Sequence, residues 1–254
     1  MAHVFALAMQ KGGVGKTTTV LNLGVALVRR GARVLLIDLD PQANLTLGLG
    51  IDPRAFENSS YELLLNPRRG AGFAILSASA GVDLVPATLA LAGAEQELAG
   101  VKGRELLLRR ALIDTRKQYD YILIDPPPSL GLFTLNALIA ADAVIVPLQA
   151  HVFALRSMPQ LEAAIALAHR VHAQLTIGGI VCTFVDRRTN LSQVVEQQIR
   201  ARYGKLVFET VIPTSTRLAE APAAGQAISN YAPASPGALA YAGLAHEVEV
   251  RYAH

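Results

Sequence analysis

Cysteine is nearly absent from this chain. Of 254 residues only Cys182 carries a thiol, which excludes a disulfide framework and any Cys-rich metal or iron–sulfur site built within one chain. Lying in the apolar run from Ile177 to Val185, Cys182 reads as a small core residue. Long apolar runs are also missing. Hydrophobic residues make up 52% of the chain, yet no run reaches the about 18 residues a membrane-spanning helix needs. The first residues lack a charged segment and a cleavage site and enter an apolar run directly, so no signal peptide is expected. Charge of one sign is not in excess either. A net charge of +3 permits attraction to nucleic acid without requiring it. Linkers, repeats and low-complexity tracts are absent. This composition agrees with a cytosolic globular enzyme, long enough to bury a large core and read as one domain over residues 1–254.

Strand and helix patterns alternate throughout. Apolar runs at 4–8, 33–38, 84–86, 121–125, 143–147 and 177–184 predict strands, with helices predicted over 16–30, 88–99, 104–117, 131–140, 157–172 and 191–203. Short apolar runs without polar alternation suit strands buried on both faces, as in a parallel sheet. The expected fold is α/β: a doubly wound, mostly parallel sheet with helices on both faces and ligands at the carboxyl ends of the strands. Residues 50–82 are the least regular and read as a surface excursion.

Between the first strand and the first helix lies Gln10-Lys11-Gly12-Gly13-Val14-Gly15-Lys16-Thr17-Thr18. The P-loop pattern is G-x-x-x-x-G-K-S/T. Gly15-Lys16-Thr17 fit its end, while Gln10 stands where its first glycine belongs. Such a loop turns backbone N–H groups inward on phosphate oxygens, at a helix N-terminus whose dipole favours anions. Lys16 is expected on the β- and γ-phosphates and the Thr17 hydroxyl on Mg²⁺. A glycine-rich turn without a ligand is the bland alternative; strand, loop and helix in the correct order favour a nucleoside triphosphate. Asp125 ends the fourth apolar run, before Pro126-Pro127-Pro128. A carboxylate there is placed to hold the metal directly or through water, the alternative being a cap of the following turn.

The second lysine carries a family resemblance. The run from Lys11 to Thr18 is similar to the deviant Walker A motif of the ParA/MinD group of P-loop ATPases. That resemblance implies that Lys11 acts across a dimer interface, as a positive charge where negative charge builds during phosphoryl transfer. Asp38-Leu39-Asp40-Pro41-Gln42 resembles the family's D-x-D-P-Q switch segment. By that likeness Asp38 belongs near the metal with Thr17 and Asp125, and Asp40 orients or activates the attacking water, which makes Lys11, Lys16 and Asp40 the catalytic set. Helix capping in a strand-to-helix loop is the alternative for Asp38 and Asp40. Pro41 and the stretch 44–50 suit a segment that responds to the γ-phosphate.

The resemblance runs over nearly the whole chain. Thr183 to Ser192 is similar to the T-M-Y-D-x-R-T-N-L-S segment of the Soj-like branch of ParA, and Ile212 to Pro222 to its I-P-R-N-V-R-L-x-E-A-P stretch. By that likeness Pro213 and Ser215 join the base pocket. Thr214-Ser215-Thr216 replaces the usual R-N-V, His151 stands where an acidic residue is common, and Met9 replaces a frequent Asn. The family implies ATP and Mg²⁺ as ligands, a homodimer formed on ATP binding, non-specific DNA, a ParB-like stimulating partner and a place on the nucleoid. Arg187, Arg188, Arg200, Arg202, Lys205 and Arg217 form the candidate DNA surface. No helix-turn-helix precedes residue 4, so operator-specific binding is not expected. A MinD-like membrane-positioning ATPase is the alternative, but residues 244–254 hold two Glu and one Arg and make a poor amphipathic anchor. Iron proteins of related fold need more cysteine than Cys182 provides. His169 and His172, one helical turn apart without a third ligand, read as helix surface.

Overall fold

A computed structural model describes residues 1–254 apart from Ser79, Val152, Phe153 and His254. In chain order the elements are β1 (His3–Leu7), α1 (Lys16–Arg29), β2 (Val34–Asp38), α2 (Asn44–Gly48), α3 (Ser60–Leu65), β3 (Leu76–Ser77) and β4 (Asp83–Val85). Then follow α4 (Leu91–Glu97), α5 (Leu107–Ala111), β5 (Tyr121–Asp125), α6 (Leu132–Ala140), β6 (Ala143–Gln149), α7 (Met158–Ala168), β7 (Thr176–Val185) and α8 (Asn190–Tyr203). The last are β8 (Val207–Pro213), α9 (Thr216–Ala223), α10 (Ile228–Tyr231) and α11 (Pro236–Tyr252).

The strands form one sheet in the order β3-β4-β2-β5-β1-β6-β7-β8. Among the described residues only the β3–β4 pair is antiparallel. The apolar runs are continuous because successive side chains serve opposite faces, and both faces are covered. On β1, Val4 and Ala6 pack into the layer that holds α3 to α8, while Phe5 and Leu7 pack into the layer of α1, α2 and α9 to α11. The doubly wound expectation therefore holds, and β1, flanked by β5 and β6, sits at the switch point where such sheets bind ligands.

Several boundaries differ from the sequence reading. Residues 50–82 are not a surface excursion. They contain α3, whose Ser59 and Glu62 make a reciprocal capping box, and they bury Leu63, Leu64, Ala71 and Ala74 in the core. The helix expected over 104–117 is broken. Asn136 accepts from the Leu108 amide and donates to the Arg104 carbonyl, replacing helical partners at its start. β8 is a strand that the sequence does not announce, since Glu209 and Thr210 interrupt its apolar pattern. Their amides are held at 2.7 Å by the two carboxylate oxygens of Glu247 on α11, which closes this exposed edge. α7 ends at Ala168, so His169 and His172 lie past the helix, bonded to the carbonyls of Leu175 and Ala141.

Candidate nucleotide-binding and catalytic site

The loop between β1 and α1 is shaped by glycine. Gly13 and Gly15 take φ of 73° and 87°, in the left-handed region that favours glycine. Gly15 is the N-cap of α1 and offers no side chain, and no acidic residue lies in the first helical turn. The amides there are thus left for a ligand, with the helix dipole behind them. Gly12 and Gly13 have open space where a Cβ would project, so backbone can approach phosphate closely. From below, Thr183 on β7 braces the loop, its hydroxyl donating to the Val14 carbonyl at 2.8 Å. Gln10 and Lys11 line a separate depression with Pro128, Ser129 and Leu130.

The two lysines have opposite environments. Lys16 is 8% exposed, and burial lowers its pKa against the pull of Asp125 first and Asp40 second. Lys11 is half-exposed on the rim, with Nζ 3.3 Å from Oε1 of Gln149. One cation is thus held inside its own loop among carboxylates, and the other stands outside it.

Asp125 and Asp40 act on Lys16, and Asp38 lies beside Asp125. Asp38 and Asp125 are paired in register at the ends of β2 and β5. Asp38 is enclosed. Its Oδ1 accepts the Asp40 amide at 3.1 Å, and its Oδ2 accepts the Thr46 amide at 3.0 Å and hydroxyl at 2.7 Å. Among the described residues neither oxygen of buried Asp125 has a hydrogen-bond partner. Burial first, and the Asp38 charge second, push its pKa up to about 8; the Thr17 hydroxyl and Lys16 pull the other way, with Thr17 stopping short of a hydrogen bond. Burial likewise raises Asp38 to about 7, against its hydrogen bonds from Thr46. Two orphaned buried oxygens beside a threonine hydroxyl fit a divalent cation, because a hard cation takes oxygen ligands and compensates buried negative charge. Asp38, expected at the metal, has its oxygens engaged in shaping the turn instead.

Asp40 accepts the Gln42 amide at 3.0 Å and begins the turn into α2. Ala43, which caps α2, takes φ 53°, a conformation that non-glycine residues hold at a cost of about 1–3 kcal/mol. Two cavities open along α1. One of about 450 Å³ is lined by Gly13, Lys16, Thr17, Asn44, Leu47 and Pro222 among others. A smaller one of about 120 Å³ joins Gly15 and Thr18 to Phe184, Ile212, Pro213, Ser215, Leu218 and Tyr241. Pro213 and Ser215 are thus brought next to the loop from the far edge of the sheet.

The six basic residues are not brought together. Arg187, Arg188 and Arg217 are exposed near the carboxyl ends of β7 and β8, where the Thr214 amide meets the Val185 carbonyl. Arg188 is bound to Asp186 by both side chain and backbone, and Arg217 has Glu220 at 4.0 Å. Arg200, Arg202 and Lys205 lie at the other end of α8, about 20 Å away by helix length. Arg200 is half-buried between Glu196 and Glu209.

A glycine-capped anion loop at the switch point, a buried lysine and an open acid at the neighbouring strand end define a P-loop nucleoside triphosphatase, and the second, outward lysine places it in the deviant class. Comparison with known proteins narrows this. A family model described as AAA domain matches residues 2–177. The chain is 44% identical over 249 residues to sporulation initiation inhibitor protein Soj of Bacillus subtilis, covering 98% of each chain. It is 50% identical over 248 residues to chromosome-partitioning ATPase Soj of Thermus thermophilus, covering 97% of this chain and 95% of that one. Among solved structures, cobyrinic acid a,c-diamide synthase of Mycobacterium smegmatis with bound ATP analog and magnesium is 37% identical, with a TM-score of 0.85 over 100% of this chain and 98% of that one. The chain belongs to the ParA/Soj family of P-loop ATPases.

Sequence reasoning does not single out Gln149, Thr46, Thr183 or Phe184. Gln149 ends an apolar strand, and only the sheet order brings it to its distant partner Lys11; Thr46 lies within the switch stretch, and only the turn after β2 folds it back onto Asp38.

Proposed function

We propose that this protein is an ATP-driven dimerisation switch for DNA partition, working in the cytoplasm on the nucleoid with a ParB-like partner. The observation that carries this is the contrast between Lys16, buried among Asp125 and Asp40, and Lys11, outside its own phosphate loop on Gln149. A cation so placed is available to a second subunit's phosphates.

In this reading residues 10–18 hold ATP. The amides of Gly12 to Thr18 bind phosphate oxygens, Lys16 neutralises the β- and γ-phosphates, and Thr17 and Asp125 hold Mg²⁺, which shields phosphate charge when bound. Asp38 fixes the turn that presents Asp40 through its bonds to the Asp40 amide and Thr46. Asp40 orients the attacking water, a contribution of geometry more than of proton transfer. Lys11 reaches the partner's phosphates as charge builds there. Pro213 and Ser215 border the base. Arg187, Arg188 and Arg217, clustered on one face, carry DNA backbone contacts; two subunits together double their number.

Membrane positioning is the less favoured reading. Among the described residues no helix is long and apolar enough to cross a membrane. α11 buries Tyr241, Leu244, Ala245 and Val248 in the protein core, so this apolar face is already covered. DNA and liposome sedimentation run side by side with ATP and with ADP tests the choice. Capture by DNA with ATP alone is expected. Capture by liposomes and not by DNA would overturn the partition reading.

A further inference from the structure

Gly131 opens α6 with an ordinary φ of -91°, so backbone conformation does not require glycine there. The requirement comes from α4. A Cβ on Gly131 would lie 2.5 Å from Oε1 of Glu95, the oxygen that accepts the Leu132 amide at 2.9 Å. α6 has no capping side chain of its own and no acidic residue in its first turn. A carboxylate from another helix takes that place, where negative charge suits the helix dipole. Glu95 thereby holds more than one amide. The Thr134 hydroxyl of α6 donates to the Ser129 carbonyl, so the loop running from Asp125 is sewn to the helix that Glu95 anchors. Pro128, Ser129 and Leu130 of that loop wall the depression of Lys11.

The other end of α4 leads to the switch turn. The Thr46 hydroxyl, which donates to Asp38, accepts the Ala87 amide at 3.0 Å, and Thr46 and Ala87 are both buried. Ala87 precedes α4 by a single turn of chain, and Leu91 and Ala94 of α4 share a core layer with Phe133 and Ala137 of α6. Hydrogen bonds and α4 itself thus join Asp38, through Thr46, Ala87 and Glu95, to the loop after Asp125. We propose that Glu95 is a positioning residue for ATP hydrolysis, tying the loop after Asp125 to the turn that presents Asp40. This rests on the reading of Asp40 and Asp125 as the water-orienting and metal acids. The two acids stand on separate loops, and their spacing sets the geometry of attack, on which phosphoryl transfer depends. The groups that bind ATP belong to residues 10–18 and stand outside this tie.

Glu95→Ala removes the acceptor. Gly131→Ala should expel the same carboxylate, because the atom in the way of the new Cβ ends a flexible side chain. Glu95→Gln keeps an oxygen that accepts the Leu132 amide. In the nucleotide-free protein, hydrogen–deuterium exchange over residues 126–132 should quicken on the order of fivefold in both Ala variants, as for a lost helix cap. Turnover at saturating ATP should fall on the order of fivefold as well, while the KM for ATP stays within about twofold. The double variant should turn over no more slowly than Glu95→Ala, since both changes break one contact. Glu95→Gln should recover most of what Glu95→Ala loses in exchange and in turnover. Unchanged exchange or turnover in Glu95→Ala, or a KM that rises while turnover holds, would overturn the proposal. So would additive losses in the double variant, or an equal loss in Glu95→Gln. If Asp40→Ala and Asp125→Asn turn over ATP as the parent does, the reading of the two acids fails instead.

Discussion

Asp38 and Asp125 stand opposite each other at the ends of adjacent strands, equally buried and oppositely bonded. Asp38 has both oxygens engaged by the Asp40 amide and Thr46, whereas Asp125 has neither. The pair divides two tasks, one acid shaping the switch turn and the other left open toward Lys16 and Thr17.

That arrangement has a pH signature in the nucleotide-free protein. Burial raises the two acids to about 7 and about 8, against about 4 in an unfolded chain. An acid whose folded pKa is raised stays protonated in the fold after the unfolded chain has ionised. Stability therefore falls as pH rises from about 4 toward 8, and changes no further above that. Asp125→Asn removes one such group. Its melting temperature should decline less than the parent's between about pH 5 and about pH 8, and Mg²⁺ should no longer strengthen its ATP binding. Parallel declines would contradict an uncompensated carboxylate at 125.

Lys16→Ala should abolish ATP binding, measured by calorimetry, because the loop loses the buried charge that meets the β- and γ-phosphates. Affinity within about twofold of the parent's would remove the phosphate-site assignment altogether.

The split of the basic residues yields a paired comparison. Replacing Arg187, Arg188 and Arg217 with Glu should weaken DNA binding and flatten its salt dependence, by about 0.9 of a log–log slope unit for each phosphate no longer neutralised. The same change at Arg202 and Lys205, at the far end of α8, should do much less. ATP turnover without DNA should stay near the parent's in both. Equal losses would mean that the DNA footprint extends along α8.

Gly50 and Gly225 join the switch segment to α9 by backbone alone. Both have positive φ, 76° and 64°, and a Cβ on Gly225 would lie 2.6 Å from the Gly50 Cα. Gly225→Ala should therefore destabilise by about 1–3 kcal/mol in chemical denaturation. Gly72→Ala, with nothing within 4 Å of the added Cβ, should stay within about 0.5 kcal/mol. Equal effects would show that the two backbones are not close in solution.

Much of the fold and the site is legible in the amino-acid order. β1, β2, β5 and β6 announce themselves because strands buried on both faces are apolar without interruption, and the phosphate loop because its glycines and lysine follow a strand and open a helix. β8 escapes because an edge strand carries polar residues such as Glu209, whose amide is closed by Glu247 from a distant helix. α3 is marked only by the Ser59–Glu62 capping box ahead of Leu63 and Leu64, a local signal easily outweighed by irregular surroundings. Least legible is the division between Asp38 and Asp125: both end apolar strands, and only Thr46, folded back over Asp38, tells them apart.

In the proposed mechanism ATP closes a DNA-binding dimer through Lys11. Asp40→Ala, which should keep ATP bound by slowing hydrolysis, makes this closure measurable. Light scattering should give twice the single-chain mass with ATP and Mg²⁺, and the single-chain mass with ADP. Adding Lys11→Ala to that variant should return it to the single-chain mass with ATP still bound. A single-chain mass for Asp40→Ala with ATP, or a dimer indifferent to the loss of Lys11, would rule the mechanism out.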